Sequence, residues 1–221
     1  MVTGRPPMMS RQHFDVKVPR GLDAHDPDPN FTTGKYYFSE ACLWQVVDLG
    51  LASTNKATYA AVLKVDARIR DFRLLKEMLL PEFKPTEEDT TRSRIRRSTG
   101  EVFRELTLLC LHQCVYSGDV IFLMGPRPYF ACALLQPPFT PLKSPYTPSF
   151  LASYGSACAI VGGVRRLYAK EPVIVMRFSL FWTYCFTAVV VIAAIVIRAP
   201  DCSLAGPALA ELGESMTSRR L

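Results

Sequence analysis

Twenty consecutive residues, 178–197, carry no charge and lie between Arg177 and Arg198. As a helix rising 1.5 Å per residue the stretch would reach ~30 Å, the thickness of a bilayer's hydrocarbon core. Trp182 and Tyr184, near one end, resemble the aromatic belt of a membrane interface. Taken alone, the segment reads as a transmembrane helix. The competing reading is the central helix of an all-α body, apolar all round because other helices surround it. Three features favour the second. No other such segment occurs, so the rest of the chain needs a core of its own. Ser179, Thr183, Cys185 and Thr187 soften one end. The helix expected over 150–170 offers small residues, Ala152, Gly155, Ala159 and Gly163, for close approach. The expectation is a buried helix packed against 150–170.

The remaining 201 residues are organised as helices between proline-rich breaks. Across the whole 221-residue chain 49% of residues are hydrophobic and 21% charged, which excludes a disordered chain and fits one large domain or a domain plus a fragment. Residues 1–35 hold prolines 6, 7, 19, 27 and 29 and read as an extended loop. Apolar residues recur at helical spacing from Tyr36 to Leu49, with Gly50 as the stop, and again over 56–80, ended by Pro81. Glu87, Glu88 and Asp89 suit the first turn of a further helix, where carboxylates meet unpaired N–H groups. The apolar run 102–124 is interrupted by Ser117-Gly118-Asp119, and helical character resumes over 127–135. A proline-rich loop leads to the 150–170 helix, with Thr147 or Ser149 as its cap. One helix is expected from Pro172 to Ala199, a short one over 204–216, and a frayed tail over 217–221. The fold class is therefore all-α, an irregular bundle of six to eight helices.

Chemistry-bearing constellations are sparse. Lys plus Arg minus Asp plus Glu is 26 − 20 = 6, too weak alone to imply nucleic acid. Arg92, Arg94, Arg96, Arg97 and Arg104 are the densest basic cluster, but no aromatics interleave for base stacking, so they read as a solvated helix face. Cys110-x-His112-x-Cys114 puts i and i+4 on one helix face and i+2 on another, and no fourth ligand follows at finger spacing. Those residues read as two core thiols and a helix histidine. Asp23, Asp26 and Asp28 with His25 read as a turn-rich loop. The seven cysteines are odd in number and the first ten residues have no apolar signal region, which fits a reducing compartment. No G-x-S-x-G, H-E-x-x-H or phosphate loop occurs, so no catalytic, metal or cofactor residue is expected and the chain does not read as an enzyme.

Several short motifs stand in a suggestive order. Leu111-His112 precedes Arg127-Pro128-Tyr129-Phe130-Ala131, and Ser144-Pro145-Tyr146-Thr147-Pro148-Ser149-Phe150 runs on to Tyr154. Ser156-Ala157-Cys158, Arg165-Arg166-Leu167-Tyr168 and the aromatic-rich stretch from Arg177 to Pro200 follow, and Gly4-Arg5-Pro6 with Val18-Pro19 stands ahead of all of them. Together they resemble the C-terminal half of the fungus-specific transcription factor domain, the helical middle homology region of fungal zinc-cluster activators.

The resemblance implies that 36–216 is part of such a regulatory domain, with an insertion at 113–126 between Leu-His and Arg-Pro-Tyr-Phe-Ala. It implies a missing first half and a missing zinc cluster, since no C-x2-C-x6-C occurs. Zinc would belong to that missing module, DNA would be contacted only through it, and this chain would hold no cofactor. The implied function is regulation of RNA polymerase II transcription in the nucleus, with partners in the transcription machinery and an effector of unspecified chemistry. The alternative is a single-pass membrane protein spanning at 178–197. With half the domain missing, part of the apolar helix is expected to lack cover.

Overall fold

The 178–197 stretch is helical, and its neighbours decide what it does. A computed structural model describes residues 34, 36–51, 58–72, 87–113, 129–135 and 140–217. The loop expected over 1–35, the insertion expected over 113–126 and the tail fall outside these residues apart from their edges. The described residues form eight α-helices and no strand, an all-α multi-helix arrangement.

The chain divides into two compact units, Met1–Arg97 with Val115–Gly125 and Ser98–Cys114 with Pro126–Leu221. The stretch expected as one helical domain over 36–216 contributes to both.

In the first unit a π-helical turn, Ser39–Leu43, runs into α1, Trp44–Leu51. Gly50, expected as the stop, is still helical. Helix α2, Tyr59–Asp71, is shorter than the expected 56–80. Thr58 sets its start, its hydroxyl accepting from Ala61 N–H at 3.4 Å. Phe72 ends it in extended backbone. Val62, Val65 and Ile69 fall at i, i+3 and i+7 and are buried, as are Phe38, Cys42, Val46 and Val47 of the preceding segment. The Phe38 and Phe72 rings meet edge-on at 5.3 Å. The outer face is polar, with Arg70 forked on Asp66 at 2.8 and 3.0 Å.

Helix α3, Glu87–Gln113, supplies residues to both units. In the second unit it is followed by α4, Tyr129–Leu135, a 3-10 turn Pro141–Lys143, and α5, Thr147–Lys170. Neither expected cap acts as one. Helix α5 starts after Tyr146 without a side-chain cap, and Thr147 Oγ1 instead donates to the carbonyls of Pro141 and Ser144 at 2.9 and 2.6 Å. The helix expected from Pro172 to Ala199 is two helices, α6, Pro172–Arg177, and α7, Ser179–Arg198. Phe178 is extended (ψ 94°), which separates them, and its ring packs edge-on against Phe181 at 6.3 Å. Helix α8, Ala205–Thr217, closes the unit.

Candidate functional site

Helix α5 is the axis of the second unit. Three of its buried residues, Ser149, Ser156 and Gly163, recur every seven positions and so share one face. Each meets α3. His112 Nδ1 and Ser149 Oγ share a hydrogen bond of 2.9 Å. Ser156 Oγ donates to Glu105 Oε2 at 2.9 Å. A Cβ placed on Gly163 would stand 2.8 Å from Val102 Cγ2. Partner numbers fall as the α5 numbers rise, so the two helices run antiparallel along a seam of small and polar groups. Arg104 Nη2 holds the other Glu105 oxygen at 3.1 Å.

The Tyr129-Phe130-Ala131 part of the first motif and the Ser-x-Tyr-x-Pro-Ser-Phe segment, 144–150, close one end of this seam. Phe130 of α4 stacks on Phe150 with centroids 5.9 Å apart and 12° between planes. Tyr129 lies 5.3 Å from Tyr146. Segments distant in sequence, headed by His112, Phe130 and Ser149-Phe150, thus form one buried corner.

Helix α7 packs chiefly along α5 and, on its other flank, α8. The inward residues are Phe181, Ala188, Val191, Ile192 and Ile195. Tyr168 of α5 meets Trp182 edge-on at 6.0 Å. Arg165 ties α5 to α8 through Glu211 at 3.0 Å and Glu214 at 2.8 Å. The expectation of a helix apolar all round because it is surrounded needs correcting. It does pack against α5, yet its outward side is open: Trp182, Phe186, Val190 and Ile197 are exposed. Three of the four small residues expected to receive it lie elsewhere. Gly155 and Ala159 face solvent, and Gly163 faces Val102 of α3. The reason is geometric: α5 carries two adjacent rows of small residues sharing Gly163, and the seven-residue row went to α3.

Several titratable groups are pushed toward their neutral forms. Burial raises the Cys110 thiol to about 11. Burial, then neighbouring Cys158, raises the Tyr154 phenol to about 12. Burial raises Cys42 in the first unit, Arg68 partly offsetting it. A thiol held protonated at neutral pH is a poor nucleophile and a poor metal ligand. Of the Cys110-His112-Cys114 set, His112 is engaged with Ser149, and Cys114 lies outside the described residues. Among the described residues no group of three His, Cys, Asp or Glu is placed to hold a metal ion. The side chains of Arg92, Arg94, Arg96 and Arg97 also lie outside the description. A cavity of about 360 Å³ in the first unit is lined by Tyr37, Glu40, Gln45, Arg68 and Phe72.

The incomplete cover expected for the apolar helix is present, on the side of Trp182, Phe186, Val190 and Ile197. Sequence reasoning missed which side of α7 that is, and missed the seven-residue row on α5. Comparison of the chain with protein-family models, with curated proteins and with solved structures finds no match.

Proposed function

We propose that this chain is a helical regulatory and interaction domain of the fungal zinc-cluster transcription factor type, acting on RNA polymerase II transcription in the nucleus. One observation supports it above the others. The short motifs behind the resemblance meet in one corner, where His112 and Ser149, thirty-seven residues apart, bond directly and Phe130 stacks on Phe150. Motifs that define a fold should pack on one another in this way. Protonated buried thiols and an open apolar helix face suit work by surface contact. On this reading DNA is reached through a zinc-cluster module that is not in this sequence, and partners come from the transcription machinery.

The test is to fuse the chain to a heterologous DNA-binding module upstream of a reporter. Several-fold activation or repression relative to the module alone is expected. Phe150→Asp, which breaks the corner, should abolish it. An unchanged reporter with a folded, nuclear fusion would overturn the reading.

A second reading, a single-pass membrane protein, draws on α7, which is long and apolar enough to cross a bilayer and has an open side. The flanking helices weigh against it. With α5 and α8 beside α7, spanning would draw the Arg165 pairs with Glu211 and Glu214 toward hydrocarbon, at high cost. Carbonate extraction separates the two: retention in the membrane pellet favours the second reading, release the first.

A further inference from the structure

The cavity of about 360 Å³ in the first unit opens against an irregularity of the backbone. Tyr37, Glu40, Ala41 and Gln45 line it from one segment, and Arg68 and Phe72 line it from the end of α2. Glu40 and Ala41 lie in the π-helical turn Ser39–Leu43, which closes with a bond from Trp44 N–H to the Ser39 carbonyl. Glu40 and Gln45 have the same five-residue separation as that bonded pair. On a regular α-helix they would stand ~140° apart, on different sides. The wider π turn brings them toward the same side, and both line the cavity. Single π turns are rare in helices and recur at functional sites.

The lining pairs opposite charges with two rings. Arg68 is exposed, and among the described residues it forms no ion pair. Arg70, on the outer face of the same helix, is forked on Asp66. The Arg68 charge reaches inward, where it partly offsets the upward push of burial on the Cys42 thiol. A guanidinium matches a carboxylate through two parallel N–H bonds. Glu40 brings a carboxylate from the other segment. It has a contact of its own, yet a carboxylate offers about four acceptor sites. Tyr37 and Phe72 supply apolar surface. At ~30 Å³ per water-sized group, the space holds roughly a dozen non-hydrogen atoms.

We propose that this cavity binds a free α-amino acid with an apolar side chain. Its carboxylate meets Arg68, its ammonium meets Glu40, and its side chain rests on Tyr37 and Phe72. An acid without the ammonium would be repelled by Glu40, and an amine without the carboxylate by Arg68, so the charges select the zwitterion. The inference rests on the regulatory reading only for the view that occupancy is a signal.

Equilibrium dialysis of the full chain against labelled L-phenylalanine tests it. Saturable binding of one molecule per chain is expected, with a dissociation constant of roughly 0.1–1 mM for a ligand of that size. Phenethylamine and hydrocinnamate, which lack the carboxylate and the ammonium, should each bind at least ~10-fold more weakly. Arg68→Gln should weaken L-phenylalanine by ~10-fold or more and reduce its advantage over phenethylamine. Glu40→Gln should reduce its advantage over hydrocinnamate. Both positions are exposed, so helical circular dichroism should stay unchanged. Arg70→Gln, on the same helix but away from the cavity, should leave binding intact. No saturable binding by the folded chain up to ~10 mM overturns the proposal. So does equal loss in Arg68→Gln and Arg70→Gln, or a fragment that binds as tightly as the amino acid. Binding with a silent reporter sinks the regulatory reading and keeps the site, whereas an active reporter without binding does the reverse.

Discussion

Helix α5 meets two of its neighbours in the second unit, α3 and α7, by different chemistry. Toward α3 it presents Ser149, Ser156 and Gly163, which engage His112, Glu105 and Val102. Toward α7 the contact on the far side is Phe181, Ala188, Val191, Ile192 and Ile195, with no polar atom in the set's side chains. Apolar contact supplies free energy in proportion to area and tolerates a shift of one helix along another. Hydrogen bonds at seven-residue intervals contribute less each, but they are satisfied in one register only. The pair of seams therefore divides the labour between holding α5 and aligning it.

The largest test strikes the apolar seam. Ile192→Asp places an unpaired carboxylate where the side chain is fully buried, and should cost more than ~4 kcal/mol, enough to unfold the second unit. Val190→Asp, two residues earlier, is half exposed and should change the stability of the dilute chain by less than ~0.5 kcal/mol. Thermal melts of the two variants should differ widely. Equal losses would mean that α7 has no distinct inner and outer sides.

The polar seam should break at smaller cost. His112→Ala removes the buried hydrogen bond to Ser149 and opens a cavity, for about 2–3 kcal/mol. Gly163→Ala drives a methyl group into Val102 and should cost about 1–2 kcal/mol. Adding Val102→Ala should restore most of that loss in a double-mutant cycle. A cycle with no coupling would show that the close approach of α3 to α5 is not built as described.

How much of this could be read in the sequence depends on what each feature requires. The apolar periodicity and the prolines sufficed for an all-α chain and for the starts of α6 and α3 at Pro172 and near Glu87. They did not give the side each helix turns to which neighbour. Residues 150–170 carry small side chains at 152, 155 and 159 as well as at 156 and 163, and only tertiary packing chose between the rows. The uniform hydrophobicity of 178–197 hid its two faces for the same reason: a moment needs contrast, and both sides are apolar. The break at Phe178 had no proline or glycine to announce it.

Alkaline pH probes the interior of α3. The Cys110 thiol ionises near 9 when exposed and at about 11 in the fold. The unfolded chain thus releases its proton first as pH rises. Stability from this group is fully present below pH 9 and is lost progressively toward pH 11. Cys110→Ala should remove this part of the pH dependence, a difference of roughly 1–2 kcal/mol across that interval. Urea midpoints of the two proteins at pH 8 and pH 10.5 measure it, and parallel losses in both would refute a Cys110 thiol held protonated by the fold.

The smallest effect is expected to have the opposite sign. Ser153 sits on α5 between the residues of the polar seam, is fully buried, and its hydroxyl has no hydrogen-bond partner among the described residues. Ser149 and Ser156, its neighbours on the helix, both have one. An unmade buried hydrogen bond costs on the order of 1 kcal/mol, and alanine removes the hydroxyl while leaving nearly the same volume and a better helix former. Ser153→Ala should therefore be neutral or stabilising by up to ~1 kcal/mol, whereas Ser156→Ala strands Glu105 Oε2 and should destabilise. Denaturant titrations of the two single mutants decide it. If Ser153→Ala destabilises as much as Ser156→Ala, Ser153 is a third member of the polar seam, and register along α5 is held by more contacts than the seven-residue row.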